Sequence, residues 1–236
     1  MIRKNKIDTP PCTECKNKNS IFCILSDEEK ENLSVSKGSN FYQKGQVVFY
    51  EGNYPHGLFC IHKGKVKISK LGDEGKEQVV RLAGTGEILG YRAVLSGESY
   101  KATATVLEDS YICHLSKDSF NKILEENNVF SLSIIKLLSQ DLKNSESQLL
   151  NISQKPARER LAETLLILKE KFGLDEDNQL DLVLTRRELG DIAGVTVETA
   201  IRTISDFNKE NVIAIKGKKI QFKNIPKLIK IANIID

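Results

Sequence analysis

The sequence predicts an α+β protein with an N-terminal β-roll of the jelly-roll kind, one long helix and a C-terminal winged helix-turn-helix. Three observations carry that prediction. Residues 40–116 hold short apolar runs separated by glycines, the pattern of many short strands joined by tight turns. Beyond residue 119 the apolar spacing becomes helical. Residues 184–204 set caps, small residues and apolar positions as two short helices meeting at a glycine. A hydrophobic content of 40% with 28% charged residues suits an ordinary globular chain of 236 residues.

The lead segment, 1–30, is irregular and bears cysteines. It opens on a basic stretch, Met1-Ile2-Arg3-Lys4-Asn5-Lys6, with no apolar run behind it, so it does not read as a signal peptide. No run approaches the roughly 20 apolar residues that span a bilayer. The expectation is a cytoplasmic protein with no membrane partner. Cys12, Cys15 and Cys23 fall in or beside a stretch too poor in apolar residues to build a core, so packing does not account for them. Five cysteines in all, an odd number, argue against a disulfide framework. Ser26 and Glu29 form the signature of a capping box at a helix start.

The β-roll is assigned to 31–125, with strand-like runs such as Leu58-Phe59-Cys60-Ile61, Val79-Val80-Arg81-Leu82 and Tyr111-Ile112-Cys113. Cys60, mid-run, reads as a small core residue. His56, His62 and His114 are isolated in sequence and read as surface or turn residues rather than haem ligands. Gly84-Thr85-Gly86-Glu87-Ile88-Leu89-Gly90 mimics a nucleotide loop but lies between strands. With no P-loop, no His-Glu-x-x-His and no nucleophile elbow, an enzyme is not expected.

The long helix is assigned to 126–153. Ile135, Leu138, Leu142, Ser145, Leu149 and Ile152 follow alternating steps of three and four, a narrow seam suited to a second copy of the chain. A second stripe, Val129, Ile134 and Leu137, faces the roll. Pro156 marks a break, and 154–236 form the last domain, with a helix from Ala157 to about Phe172 ended by Gly173.

Thr185 caps the first helix of the motif, Gly194 supplies the turn and Thr196 caps the second helix. Val197, Ile201, Ile204 and Phe207 recur at helical spacing, and Ala193 is small where two helices approach. Glu198 and Arg202, one turn apart, match the donors and acceptors of a cytosine and a guanine in the major groove. An i, i+4 surface ion pair is the plainer alternative. Val212–Phe222 reads as a hairpin with a basic tip, in which Lys216 and Lys218 suit phosphates. Seven lysines against one acid between Lys209 and Lys230 point the same way, although the net charge is only +3.

These residues carry a resemblance to the Crp/Fnr family of transcription regulators. It rests on 194–202, 59–67, Gly86–Gly90 and Ala157-Arg158-Glu159-Arg160-Leu161, and covers nearly the whole chain. The family likeness implies a cyclic-nucleotide-binding type of β-roll, a homodimer, a palindromic double-stranded operator and RNA polymerase as a partner. Within the family the chain looks more like the oxygen-sensing branch, which implies a [4Fe–4S] cluster on Cys12, Cys15, Cys23 and Cys113. The spacing Cys-x2-Cys-x7-Cys has a longer last gap than is usual there. Neutral Ser145 stands where that branch can carry an acid, so dimerisation depends less on the cluster. Ile201 replaces the family's common Ser and suits a thymine methyl. A structural zinc site or incidental thiols remain alternatives. So does a cyclic nucleotide held by Gly86, Glu87 and Lys101, where Lys replaces the Arg expected at the phosphate. A ligand-sensing module that binds no DNA is the separate class, distinguished by absence of salt-dependent duplex binding.

Overall fold

The computed structural model describes residues 10–15, 17 and 20–234, so the basic start Met1–Lys6 lies outside the described residues. The chain divides into two compact units. The first holds the residues up to Lys70 together with Arg81–Leu142, and the second holds Leu71–Val80 with Lys143–Asp236.

The first unit is built on two four-stranded sheets. One has the order β1(Gly38–Tyr42), β8(Ser110–Ser116), β3(Gly57–Lys63), β6(Ile88–Leu89). The other runs β2(Val47–Phe49), β7(Thr103–Val106), β4(Val66–Leu71), β5(Glu77–Ala83). Alternation along β3 and β8 explains both faces. Ile61 and Ile112 point into a core with Val66, Ala104 and Val106. Leu58 and Leu115 point the other way, into a second apolar cluster with Phe120, Phe130 and Ile134. That cluster is closed by α1(Asp27–Ser36), α2(Tyr91–Ser96), α3(Lys117–Glu126) and the start of α4(Asn128–Gln154). The capping box at Ser26 forms, with Glu29 N–H on Ser26 Oγ at 3.2 Å and Ser26 N–H on Glu29 Oε2 at 2.7 Å. Gly64, at φ +129°, admits no side chain, because a Cβ there would sit 2.0 Å from Ser110 Oγ.

Helix α4 is the long helix of the sequence reading. Of its expected roll-facing stripe, Ile134 and Leu137 pack on the cluster, but the stripe starts at Phe130 instead of Val129. Phe130 and Ile134 are buried, whereas Val129, expected on that face, is 62% exposed. The larger ring at Phe130 takes the buried position by stacking with Phe22 and meeting Phe120 edge-on.

In the second unit, α5(Ala157–Phe172) ends at Gly173 with φ +79°. There follow α6(Arg186–Ala193), α7(Val197–Lys209), the hairpin β9(Ile213–Lys216) and β10(Lys219–Phe222), and α8(Ile225–Ala232). Leu161, Leu165, Leu189, Ile204, Phe207 and Leu228 are fully buried and make its core. Among the described residues no helix is long and apolar enough to cross a membrane.

Candidate functional site

The helix-turn-helix is fixed by its ends. Thr185 Oγ1 accepts from Glu188 N–H at 3.1 Å, and Glu188 Oε2 accepts from Thr185 N–H at 2.6 Å. Gly194 takes φ +65° in the turn, and Thr196 Oγ1 accepts from Thr199 N–H at 3.3 Å. The close approach of the two helices falls on Gly190, which the sequence reading did not single out. A Cβ there would stand 2.9 Å from the Val195 carbonyl oxygen. Arg160, on α5, donates to the carbonyls of Gly194 at 3.0 Å and Ile152 at 2.8 Å, so a second helix holds the turn.

Helix α7 has two faces. Ala200, Thr203, Ile204 and Phe207 are buried, while Glu198, Ile201 and Arg202 are exposed. Ile201 shares the spacing of Ile204 and Phe207 but not their burial. At 51% exposure it stands beside Arg202 on the outer face. Val197 is half-buried at the first turn. The Glu198 carboxyl is held below the usual range by its own backbone N–H, the Thr196 hydroxyl and the charge of Arg187. It is thus ionised at neutral pH and can only accept hydrogen bonds. The hairpin pairs Lys216 with Lys219 across a turn containing Gly217 at φ +61°. Lys216 and Lys218 are exposed, and Lys219 pairs with Asp175 at 3.1 Å.

The seam of α4 is open. Ile135, Leu142, Leu149 and Ile152 are 57%, 62%, 70% and 40% exposed, and Ser145 is exposed among them. Leu138 is half-buried against the cluster under the roll. One turn before Ser145, Asp141 is buried, a residue the sequence reading passed over. It accepts from Arg92 Nη2 at 2.6 Å and from the Tyr91 hydroxyl, with Arg81 at 3.9 Å. Burial raises its pKa, but the charge of Arg81 and the hydrogen bonds from Tyr91 and Arg92 outweigh that and hold it low. The signal was present: Asp141 lies seven residues after Ile134, in phase with the roll-facing stripe.

The thiols gather on the outer face of β3 and β8. Cys60 and Cys113 are register partners, and Ser39 Oγ lies 3.4 Å from Cys113 Sγ. Cys15 Sγ is 3.8 Å from His62 Nδ1. Cys12 packs on the same apolar cluster as Cys60, and its N–H donates to Ser34 Oγ at 2.7 Å. Burial pushes the Cys60 thiol up to about 12, helped by the neighbouring thiols of Cys113, Cys15 and Cys12. Cys23 is exposed and donates to the Asn17 carbonyl at 3.0 Å. Beside it, Phe22 stacks on Phe130 with centroids 5.6 Å apart, which ties the cysteine arm to the first turn of α4. Among the described residues no three His, Cys, Asp or Glu side chains stand close enough together to hold a metal ion.

Gly86, Glu87 and Lys101 are occupied locally. Glu87 accepts from Gly84 N–H at 2.6 Å and faces Arg81 at 3.4 Å, and exposed Lys101 pairs with Glu98 at 3.4 Å. None of them lines the cleft of about 490 Å³ bounded by Phe49, Tyr54, Tyr100, His56 and His114.

A cyclic nucleotide-binding domain model matches residues 39–127, and a Crp-like helix-turn-helix domain model matches 159–231. The fumarate and nitrate reduction regulatory protein of Vibrio cholerae is 28% identical over 229 residues, covering 94% of this chain and 90% of that protein. Its counterpart from Yersinia pestis is 29% identical over 227 residues, with the same shares covered. Among solved structures, FixK2 from Bradyrhizobium japonicum superposes with a TM-score of 0.76 at 22% identity, covering 85% of this chain and 99% of that one. A CooA mutant from Carboxydothermus hydrogenoformans gives 0.74 at 23%, covering 94% and 99%. At these identities the two structures establish the fold.

Proposed function

The chain belongs to the Crp/Fnr family of DNA-binding transcription regulators, and from that premise we propose that a homodimer reads a palindromic operator under the control of a thiolate-held [4Fe–4S] cluster. The protein is a regulator rather than an enzyme. The observation that carries the reading is the exposed triplet Glu198, Ile201 and Arg202 on a helix whose other face is buried. The N-terminal turns of such a helix enter the major groove. Charged Glu198 then accepts from cytosine N4, Arg202 donates to guanine O6 and N7, and Ile201 meets a thymine methyl. Lys216 and Lys218 at the hairpin tip, with Thr185 and Thr196 at the helix starts, hold the backbone without reading sequence. The second copy is brought by the apolar seam of α4, which sets two recognition helices about 34 Å apart. RNA polymerase is the expected protein partner and the cytoplasm the expected compartment.

The thiols support the sensory half. Cys12, Cys15 and Cys113 lie around one sheet face, and Cys23 is on the same arm. The set is all sulfur, half-buried for the most part and set against an apolar cluster, which is the donor chemistry of an iron–sulfur centre. When bound, the cluster supplies a redox centre that oxygen can oxidise. Cys12, Cys15, Cys23 and Cys113 would hold it, and Phe22 would pass the position of the arm to Phe130 and α4. Glu87 and Lys101, each paired elsewhere, give a cyclic nucleotide little support.

Anaerobic purification with iron and sulfide assay tests the cluster. A brown protein bleached by air is expected, and a colourless protein containing zinc or no metal counts against it. Gel shift against a selected operator tests the reader: the double variant Glu198→Gln, Arg202→Ala should lose recognition of that operator while retaining weak, salt-sensitive duplex binding.

A further inference from the structure

We propose that Cys60 and Cys113 form a redox-active dithiol that closes to a cross-strand disulfide. The two residues are direct partners in the antiparallel pairing of β3 and β8. Opposite residues in such a pair project from the same face of the sheet, here the outer face marked by Leu58 and Leu115. The ladder position follows from the neighbour. Ile61 donates its N–H to Glu87 and accepts from Gly86 N–H, both on the β6 side. The backbone of Cys60 therefore turns towards β8, making Cys60 and Cys113 a hydrogen-bonded pair with Cα atoms about 5.5 Å apart. That Cα separation lies in the range of disulfides, roughly 4.4–6.8 Å. The Cβ atoms of a hydrogen-bonded pair stand about 5.5 Å apart, wider than the roughly 3.5–4.5 Å of a relaxed disulfide, so closure draws the two strands together and leaves a bond that is readily reduced. Both thiols are reduced and half-buried.

The oxidant is a small-molecule disulfide. One protein thiolate attacks a sulfur of that disulfide, forming a mixed disulfide and releasing one small thiol. The facing protein thiolate then displaces the second small thiol and closes the cross-strand bond. Two electrons pass from the protein sulfurs to the small disulfide, and the two protons lost by the protein end on the two released thiols. A closed bond removes Cys113 from any other ligand until a reductant reopens it. The inference concerns the thiols alone and does not require a cluster.

Trypsin makes the test direct, because Cys60 lies alone in peptide 45–63 and Cys113 alone in peptide 102–117. Full-length, metal-free, reduced protein is treated with oxidised glutathione, its remaining thiols are alkylated, and it is digested without reductant. The expected result is a 45–63/102–117 cross-linked peptide, with equal loss of alkylation at both cysteines. Cys60→Ser should stop at a persistent glutathione adduct on Cys113, whereas Cys113→Ser, which leaves only the buried Cys60 thiol of this pair, should react slowly there and form no cross-link. A triple variant, Cys12→Ser, Cys15→Ser, Cys23→Ser, should still cross-link, and far-UV circular dichroism confirms that each variant is folded. Cys60 and Cys113 both remaining alkylated, or Cys113 joined instead to an arm cysteine, overturns the proposal. Iron assay of the reduced wild-type protein reports separately on the cluster, so either idea can fail without the other.

Discussion

Arg202 is exposed on the outer face of α7, so under the proposed function its removal should cost contact with DNA and not fold. Arg202→Ala should weaken operator binding by about 1–3 kcal/mol, roughly five- to 150-fold, and relax preference at one base pair. Competition between operators differing at each position measures both, and a uniform loss across sequences would reassign the side chain to phosphate. Gly190 works in the opposite sense. Gly190→Ala sets a methyl 2.9 Å from the Val195 carbonyl, so the helix pair must spread, at about 1–3 kcal/mol by overpacking. Urea unfolding should show it, and an unchanged midpoint would mean that the turn yields freely. The exposure of Glu198 and Arg202 on one face of α7 was legible from sequence because caps and a glycine fix the helix phase locally. Ile201 shares an apolar spacing of three and six with Ile204 and Phe207 yet is 51% exposed, as a side chain suited to a thymine methyl requires, because small Ala200 and Thr203 take the tighter contacts. Cys60 was legible as a small core residue and packs on the apolar cluster under the roll, but its pairing with Cys113, 53 positions away, is non-local and no single run encodes it.

Helix α4 carries two separable tasks on two faces. Its open seam was legible as a repeat of threes and fours, since a stripe beyond what the roll can cover needs another partner. Leu142→Asp with Leu149→Asp puts acids into both copies of that seam, and the dimer should dissociate to monomers in sedimentation at micromolar concentration. A dimer that persists would place the interface elsewhere. The buried face depends on Asp141, where the helix meets Tyr91, Arg92 and Arg81. Asp141→Ala leaves those donors facing one another and should cost about 2–3 kcal/mol, the lower side of a broken buried pair because Arg92 is 54% exposed. The pH sense follows from the lowered carboxyl. Its stabilisation is complete above the unfolded value of about 3.9 and is lost as the pH falls through the lower folded value. Wild-type protein should therefore lose stability below about pH 4 more steeply than Asp141→Ala. Parallel acid-unfolding curves would remove Asp141 from that role.

For the molecule as a whole, DNA binding under the proposed function joins two copies of one reader, and salt distinguishes one copy from two. Each phosphate neutralised by a lysine releases counterions, and the slope of log affinity against log salt is about −0.9 per contact on B-DNA. Under that reading Lys216 and Lys218 of two subunits would make four such contacts, so they alone predict a slope of about −3.6. Lys218→Ala removes one contact per subunit and should flatten the slope by about 1.8, with little change in which sequence is preferred. The Leu142→Asp, Leu149→Asp monomer should show about half the wild-type slope, because half the contacts remain. It should also lose most of its discrimination between a palindrome and a single half-site, since the second recognition helix no longer follows the first. Fluorescence anisotropy from about 50 to 200 mM salt, on a palindrome and on a half-site, measures all three quantities. A monomeric variant with the full slope would show that one chain supplies every phosphate contact, and the two-fold reader would then have to be abandoned even with Glu198 and Arg202 in place.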